Sequence, residues 1–182
     1  MHTSSFPKEH CNDDRLTGFA IYWEQSTDFL ATWPATPMTT SKTSAGGAEW
    51  LLDTGPLVAL LSKRDSAHAA CVEALEGFRG RLITTEPVLT EAMHLVRRQP
   101  GAQEVCLDFF LQGGAMLVEM TAERLASCKM LVARYRDIPM DFADATLVSI
   151  ADELGLATVF TLDRRGFLAY RWRKTRRFEI VP

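Results

Sequence analysis

From Glu49 onward, short apolar runs alternate with helical patterns, and this alternation narrows the folds open to the chain. "WLLD", "RLITT", "AMLVEM", "ATVFTLD" and "FEIVP" are strand-length segments bounded by Gly, Asp, Thr or Pro. Between them, the apolar spacing predicts helices over 54–61, 66–78, 86–96, 102–111, 122–135 and 141–154, the last stopped by Gly155. Strands separated by helices run parallel, because each crossover returns the chain to the same end of the sheet. The expectation is an α/β fold, an α/β/α sandwich around a central parallel sheet of about five strands.

The preceding segment has another character. Residues 1–48 are rich in Thr, Ser, Pro and Asn/Asp, and their apolar patch, "GFAIYW", is too short to found a core. They read as a disordered N-terminal extension, with at most a short ordered piece at 19–23, ahead of a folded domain at 49–182. A natural start at Met38 is a second reading; an intact mass that retains residues 1–37 excludes it.

Composition removes several classes of function. The 182 residues are 47% hydrophobic and 24% charged, with a net charge of −3, as in an ordinary globular domain. No stretch approaches a membrane span, and no basic start leads into an apolar run, so the expected location is the cytoplasm. Cys11, Cys71, Cys106 and Cys128 form no CxxC pair, and His2, His10, His68 and His94 form no HxxxH pair. Neither a zinc site nor a disulfide framework is indicated, and free thiols in a reducing compartment are the simpler reading.

The acids carry more information. In an open parallel sheet, ligands bind outside the carboxyl ends of the strands. Asp53 closes "WLLD" and Asp163 closes "VFTLD", so both fall on that rim. In "MDFADATLVSIADEL", Leu147, Val148, Ala151 and Leu154 form a core-facing stripe. Extended backwards, the stripe passes through Asp144 and Asp141, so two acids head a face the helix should bury. Glu91, three after Val88 and four before Leu95, flanks the buried stripe of its own helix.

Each acid also has an ordinary explanation. Asp53 and Asp141 suit helix N-caps, Asp163 suits a turn, and Glu91 suits a surface pair with His94 or Arg98. Asp144 resists this treatment, because a lone buried carboxylate costs several kcal/mol. Together, three or four carboxylates on one rim repel one another, and a hard divalent cation, Mg²⁺ or Mn²⁺, relieves the repulsion. An all-carboxylate set without His or Cys fits phosphodiester hydrolysis better than peptide hydrolysis.

With these residues in place, "WLLDTGPLVALL", "ITTEPVLTEAMHLV", "DFADATLVSIADELGLATVFTLDRRGF" and "FEIVP" resemble the PIN domain, close to the toxin ribonucleases of VapC-like toxin–antitoxin pairs. The resemblance covers about residues 49–182 and implies metal-dependent endonucleolytic hydrolysis of RNA in an acidic pocket binding Mg²⁺ or Mn²⁺. It places the family's catalytic, metal-holding acids on Asp53, Glu91, Asp144 and Asp163, with Asp141 one helical turn away as a further metal-site residue. Thr161 matches a position that often carries a hydroxyl near the pocket. The resemblance also implies an antitoxin partner and a homodimer. The N-terminal extension departs from the compact pattern.

The tail "RRGFLAYRWRKTRRFEIVP" carries seven Arg/Lys against one acid, Glu179, with Phe167, Tyr170 and Trp172 interleaved. Cations for phosphates and rings for unpaired bases suit single-stranded RNA, which makes Arg164, Arg165, Arg171, Arg173, Lys174 and Thr161 candidate substrate contacts. The competing reading is a solvated loop with its aromatics in the core.

Other chemistries fit less well. Aspartate-nucleophile phosphatases want a second acid two residues after the first, and here Thr54 and Gly55 follow Asp53. A receiver-type phospho-acceptor wants a late Lys where "VFTLDRR" places an acid. The non-enzymatic alternative is a PIN-like module that binds RNA or a partner protein without cutting.

Overall fold

The computed structural model describes residues 48–182. The expectations for residues 1–47, including the ordered piece at 19–23 and the start at Met38, lie outside the described residues.

Leu51 and Leu52 have no exposure and sit in β1 (Glu49–Leu52), the middle strand of the sheet. The other strands are β2 (Arg81–Thr85), β3 (Met116–Val118), β4 (Thr158–Phe160) and β5 (Glu179–Val181), in the order β3-β2-β1-β4-β5. Every pairing is parallel, with Leu51 opposite Ile83 on one side and Val159 on the other. Buried on both faces, the inner strands need unbroken apolar runs, which "WLL" and "LI" supply.

The helices are α1 (Thr54–Leu61), α2 (His68–Leu75), α3 (Glu86–Val96), α4 (Ala102–Leu111), α5 (Ala122–Arg134), α6 (Phe142–Leu154) and α7 (Arg164–Ala169). Right-handed crossovers lay α1–α4 on one face while the chain moves from β1 to β3. The return to β4 and β5 lays α5–α7 on the other, giving the expected sandwich. The order reverses at β1, so the switch point opens between the carboxyl ends of β1 and β4.

Several sequence-based bounds shift. The helix expected over 66–78 is shorter, because Gly77 at φ 77 turns the chain out of it. Asp141 precedes α6 as its N-cap, and α7 was not anticipated. Cys71, Cys106 and Cys128 are free and buried, and burial pushes the Cys71 and Cys106 thiols up to about 11, so these sulfurs are inert at neutral pH. Among the described residues, no helix is long and apolar enough to cross a membrane.

Candidate active site

Asp53 follows β1 directly and N-caps α1, its Oδ1 accepting the Thr54 N–H at 2.7 Å. Its Oδ2 accepts the Thr161 hydroxyl at 2.6 Å, across from the end of β4. Thr161 in turn accepts the Asp163 N–H at 2.9 Å, and Asp163 Oδ1 caps α7 by accepting the Gly166 N–H at 3.1 Å. One hydroxyl therefore ties together the two strand-end acids that flank the switch point. Thr161, expected as a substrate contact, has no exposure, and its hydroxyl donates to Asp53.

Glu91 reaches the same place from α3. Its Oε2 accepts the Thr54 hydroxyl at 2.9 Å, so Thr54 bridges the two acids, with its N–H on Asp53 and its hydroxyl on Glu91. The surface pairing of Glu91 with His94 or Arg98 is not what the chain does. Pro87 in the first turn of α3 sets the entry of that helix and leaves Glu86 exposed.

Asp141 and Asp144 come from the head of α6. Asp141 Oδ1 accepts the Asp144 N–H at 2.8 Å, so the N-cap reading of Asp141 holds. Asp144 is only 8% exposed. Its Oδ2 accepts the Tyr170 hydroxyl at 3.1 Å, which also lies 2.7 Å from the Pro139 carbonyl. The head of α6 is further fixed to β2 by the Thr85–Thr146 hydroxyl pair at 2.7 Å.

Electrostatics binds the cluster. Burial, reinforced by the charges of Glu91 and Asp141, pushes the Asp53 carboxyl up to about 6, against the lowering pull of Thr161 and Thr54. Burial, then repulsion from Asp141, Asp53 and Asp163, pushes Asp144 up to about 7, against the Tyr170 hydrogen bond. Burial and the Asp144 charge raise the Tyr170 phenol, so it stays protonated and donates. The five acids thus feel one another around the switch point, with Asp53 and Asp144 at the buried centre and Asp141 and Asp163 at the exposed rim.

The donor set fits a hard divalent cation in kind: carboxylate oxygens only, two of them on carboxyls held above the usual carboxylate range by burial and by repulsion that a cation would relieve. The set is not drawn tight. Among the described residues no three acidic, histidine or cysteine side chains are gathered closely enough to hold an ion as they stand. The hydrogen bonds from Thr54, Thr161, Tyr170 and Gly166 occupy the oxygens instead.

Beside the acids runs a groove of about 740 Å³ between α3, the start of α5 and the head of α6. Glu91, His94 and Asp141 line it together with Pro87, Leu125 and Phe142. Leu125 and Phe142 remain about half exposed.

The basic tail is distributed differently from the sequence expectation. Phe167, Tyr170, Trp172 and Phe178 are all buried, so the core reading of these aromatics is correct and they offer no stacking platform. Arg171 turns back on the carbonyls of Leu168, Ala169 and Tyr170, closing the end of α7. Arg164 and Arg165 are exposed next to Asp163, and Arg164 donates to the Pro182 carbonyl at 2.7 Å. Arg173 and Lys174 lie far from the acids: the Arg173 N–H donates to the Asp152 carboxylate near the other end of α6.

Two contributors went unnoticed in the sequence. Thr54 was legible, since the residue after a strand-end acid sits on the rim with it. Tyr170 was not: it lies 26 residues from Asp144, in a segment whose dominant signal is charge.

The family model of the PIN domain matches residues 50–172, which contain all five acids. The chain belongs to the PIN domain family. This PIN domain is 31% identical over 134 residues to Ribonuclease VapC26 of Mycobacterium tuberculosis, a match spanning 72% of this chain and 99% of that protein. The crystal structure of VapC20 from Mycobacterium tuberculosis, a Sarcin-Ricin loop cleaving toxin, superposes with a TM-score of 0.59 at 20% identity, covering 63% of this chain and 90% of that one. A toxin–antitoxin complex from Klebsiella pneumoniae gives a TM-score of 0.52 at 18% identity, covering 66% and 91%. At these identities the two structures attest the shared PIN fold.

Proposed function

We propose that this PIN domain is a metal-dependent endoribonuclease, the toxin of a type II toxin–antitoxin pair. The observation that carries the reading is the convergence of Asp53, Glu91, Asp141, Asp144 and Asp163 on one rim, with the two buried members raised to about 6 and about 7. Similarity to Ribonuclease VapC26 supports RNA as the substrate.

Asp53, Glu91, Asp144 and Asp163 would hold Mg²⁺ or Mn²⁺, with Asp141 assisting from the cap of α6. A bound divalent ion supplies Lewis acidity to activate water and to stabilise the leaving oxygen of the phosphodiester. The chain's own work is positional. Thr161 and Thr54 fix both oxygens of Asp53, Thr54 aims Glu91, and Tyr170 holds Asp144, which orients the carboxylates that would hold the ion. Arg164 and Arg165, exposed beside Asp163, are placed to steady a phosphate.

The partner reading follows from the groove. An antitoxin segment that lays apolar side chains on Leu125 and Phe142 and offers a cation to Glu91 and Asp141 would close the site, and the Klebsiella complex supports a protein partner of that kind. A cytoplasmic location and a homodimer belong to the same reading, the latter open to light scattering in solution.

One observation favours the rival, a PIN-like module that binds without cutting: the acids are not drawn into an ion-holding set. RNA cleavage with Mg²⁺ or Mn²⁺, with EDTA, and with Asp53→Asn separates the two. The expected result is EDTA-sensitive cleavage that falls by about 10³-fold in Asp53→Asn, the loss of several kcal/mol of charge stabilisation. No cleavage across a broad set of structured RNAs, free of any inhibitor protein, leaves the binding module ahead.

A further inference from the structure

A tight antiparallel bridge closes residues 172–176. Trp172 and Arg176 exchange both backbone hydrogen bonds, at 3.0 and 2.9 Å. At the tip, Arg173 and Lys174 adopt φ 44 and φ 68, the two non-glycine residues with positive φ among those described. Gly or Asn is the ordinary occupant of such positions. Here the chain accepts strained backbone and keeps two cations.

The cations are also ordered. Trp172 is buried, its indole N–H donates to the Arg177 carbonyl at 3.0 Å, and the guanidinium groups of Arg173 and Arg176 each lie over its ring, at 5.3 and 5.1 Å. Arg134 donates to the Lys174 carbonyl at 3.1 Å, which fixes the tip against the end of α5. The ion pairs among the described residues are Arg81–Glu49 and Arg124–Glu153, so no hairpin cation is neutralised in this way. A favourable contact between Arg173 and the C-terminal end of α6 accounts for Arg173. Lys174, Arg176 and Arg177 have no such explanation and are exposed.

The hairpin stands on the rim opposite the acids. It leads into β5, where Glu179 pairs with Thr158 at the amino end of β4, and Arg173 lies against Gly155 at the end of α6. The eleven steps from Asp144 to Gly155 correspond to about 16 Å along the helix axis.

We propose that the Trp172–Arg177 hairpin is a contact for the RNA backbone outside the acidic site, so that this chain grips an RNA reaching well beyond the bond it cuts. The inference rests on the ribonuclease reading. Flat, pre-oriented guanidinium groups match phosphate oxygens, and exposed cations without acidic partners match a polyanion more than a folded protein surface.

The test measures binding of a labelled RNA stem-loop to the full chain in EDTA, across a salt series. Lys174→Gln, Arg176→Gln and Arg177→Gln are combined, with Lys63→Gln plus Arg64→Gln as a control elsewhere on the surface. The triple variant should fold with an unchanged melting temperature and lower the slope of log affinity against log salt by about 2. The control, and a short single-stranded oligonucleotide unable to reach both rims, should show no such change. An unchanged slope for the stem-loop overturns the inference, as does a response confined to an acidic polypeptide such as polyglutamate. RNA bound through the hairpin yet left intact by the wild type with Mg²⁺ or Mn²⁺ sustains this inference and overturns the nuclease reading.

Discussion

The two rims of one sheet gather charge of opposite sign and treat it in opposite ways. At the carboxyl rim, Asp53 and Asp144 are buried among other acids, and their ionisation is resisted by desolvation and repulsion. At the amino rim, Lys174, Arg176 and Arg177 are exposed and, among the described residues, form no ion pair. Buried charge is expensive and is tolerated where chemistry uses it, whereas exposed charge is cheap and acts at a distance. On the proposed reading, the acidic rim would suit a small, hard ion and the basic rim a long, diffuse polyanion.

Among single substitutions, replacing Trp172 with Ala gives the largest expected effect on stability. It should remove about 3 kcal/mol by urea unfolding, since the buried ring organises the hairpin. Divalent affinity measured by calorimetry should not change. A parallel loss of ion binding would break the comparison, because the rims would then not be independent.

Next comes pH. Asp53 and Asp144 have native values of about 6 and about 7 against 3.8 in the unfolded chain, so the native state keeps protons that the unfolded chain has released. Stability of the metal-free protein should therefore fall by several kcal/mol as pH rises between about 4 and about 7. Mg²⁺ or Mn²⁺ should restore it at neutral pH. A flat profile, or recovery with Na⁺ at equal ionic strength, would remove the electrostatic distinction between the rims.

The smallest effect belongs to Tyr170→Phe, about 1 kcal/mol for one hydroxyl with two neighbours. Because that hydroxyl lowers the Asp144 value, its loss should move the acidic limb of the pH–rate profile upward. A stability loss with an unmoved profile would reduce Tyr170 to packing.

Much of this was written locally. The helices 54–61, 86–96 and 102–111 have the bounds their apolar spacing predicts, and Asp144 is found on the buried stripe where Leu147 and Val148 placed it. Period and caps are short-range signals, so short-range reading finds them. The tail was misread for the opposite reason. Seven cations dominate its composition, while Phe167 packs against Tyr170 at 5.4 Å and against Phe178, eleven positions on, at 5.5 Å, and all three rings are buried. The Thr54 and Tyr170 hydrogen bonds to Glu91 and Asp144 are likewise products of tertiary assembly.

The sheet ends on both sides in a strand of three residues, β3 and β5. So short a border presents few unpaired amides and carbonyls, and it gives another chain little to template on. Self-propagating strand addition is thereby discouraged in a protein whose middle strands are strongly apolar. Among the described residues, the broader surfaces left to a partner are the helices and the groove they frame.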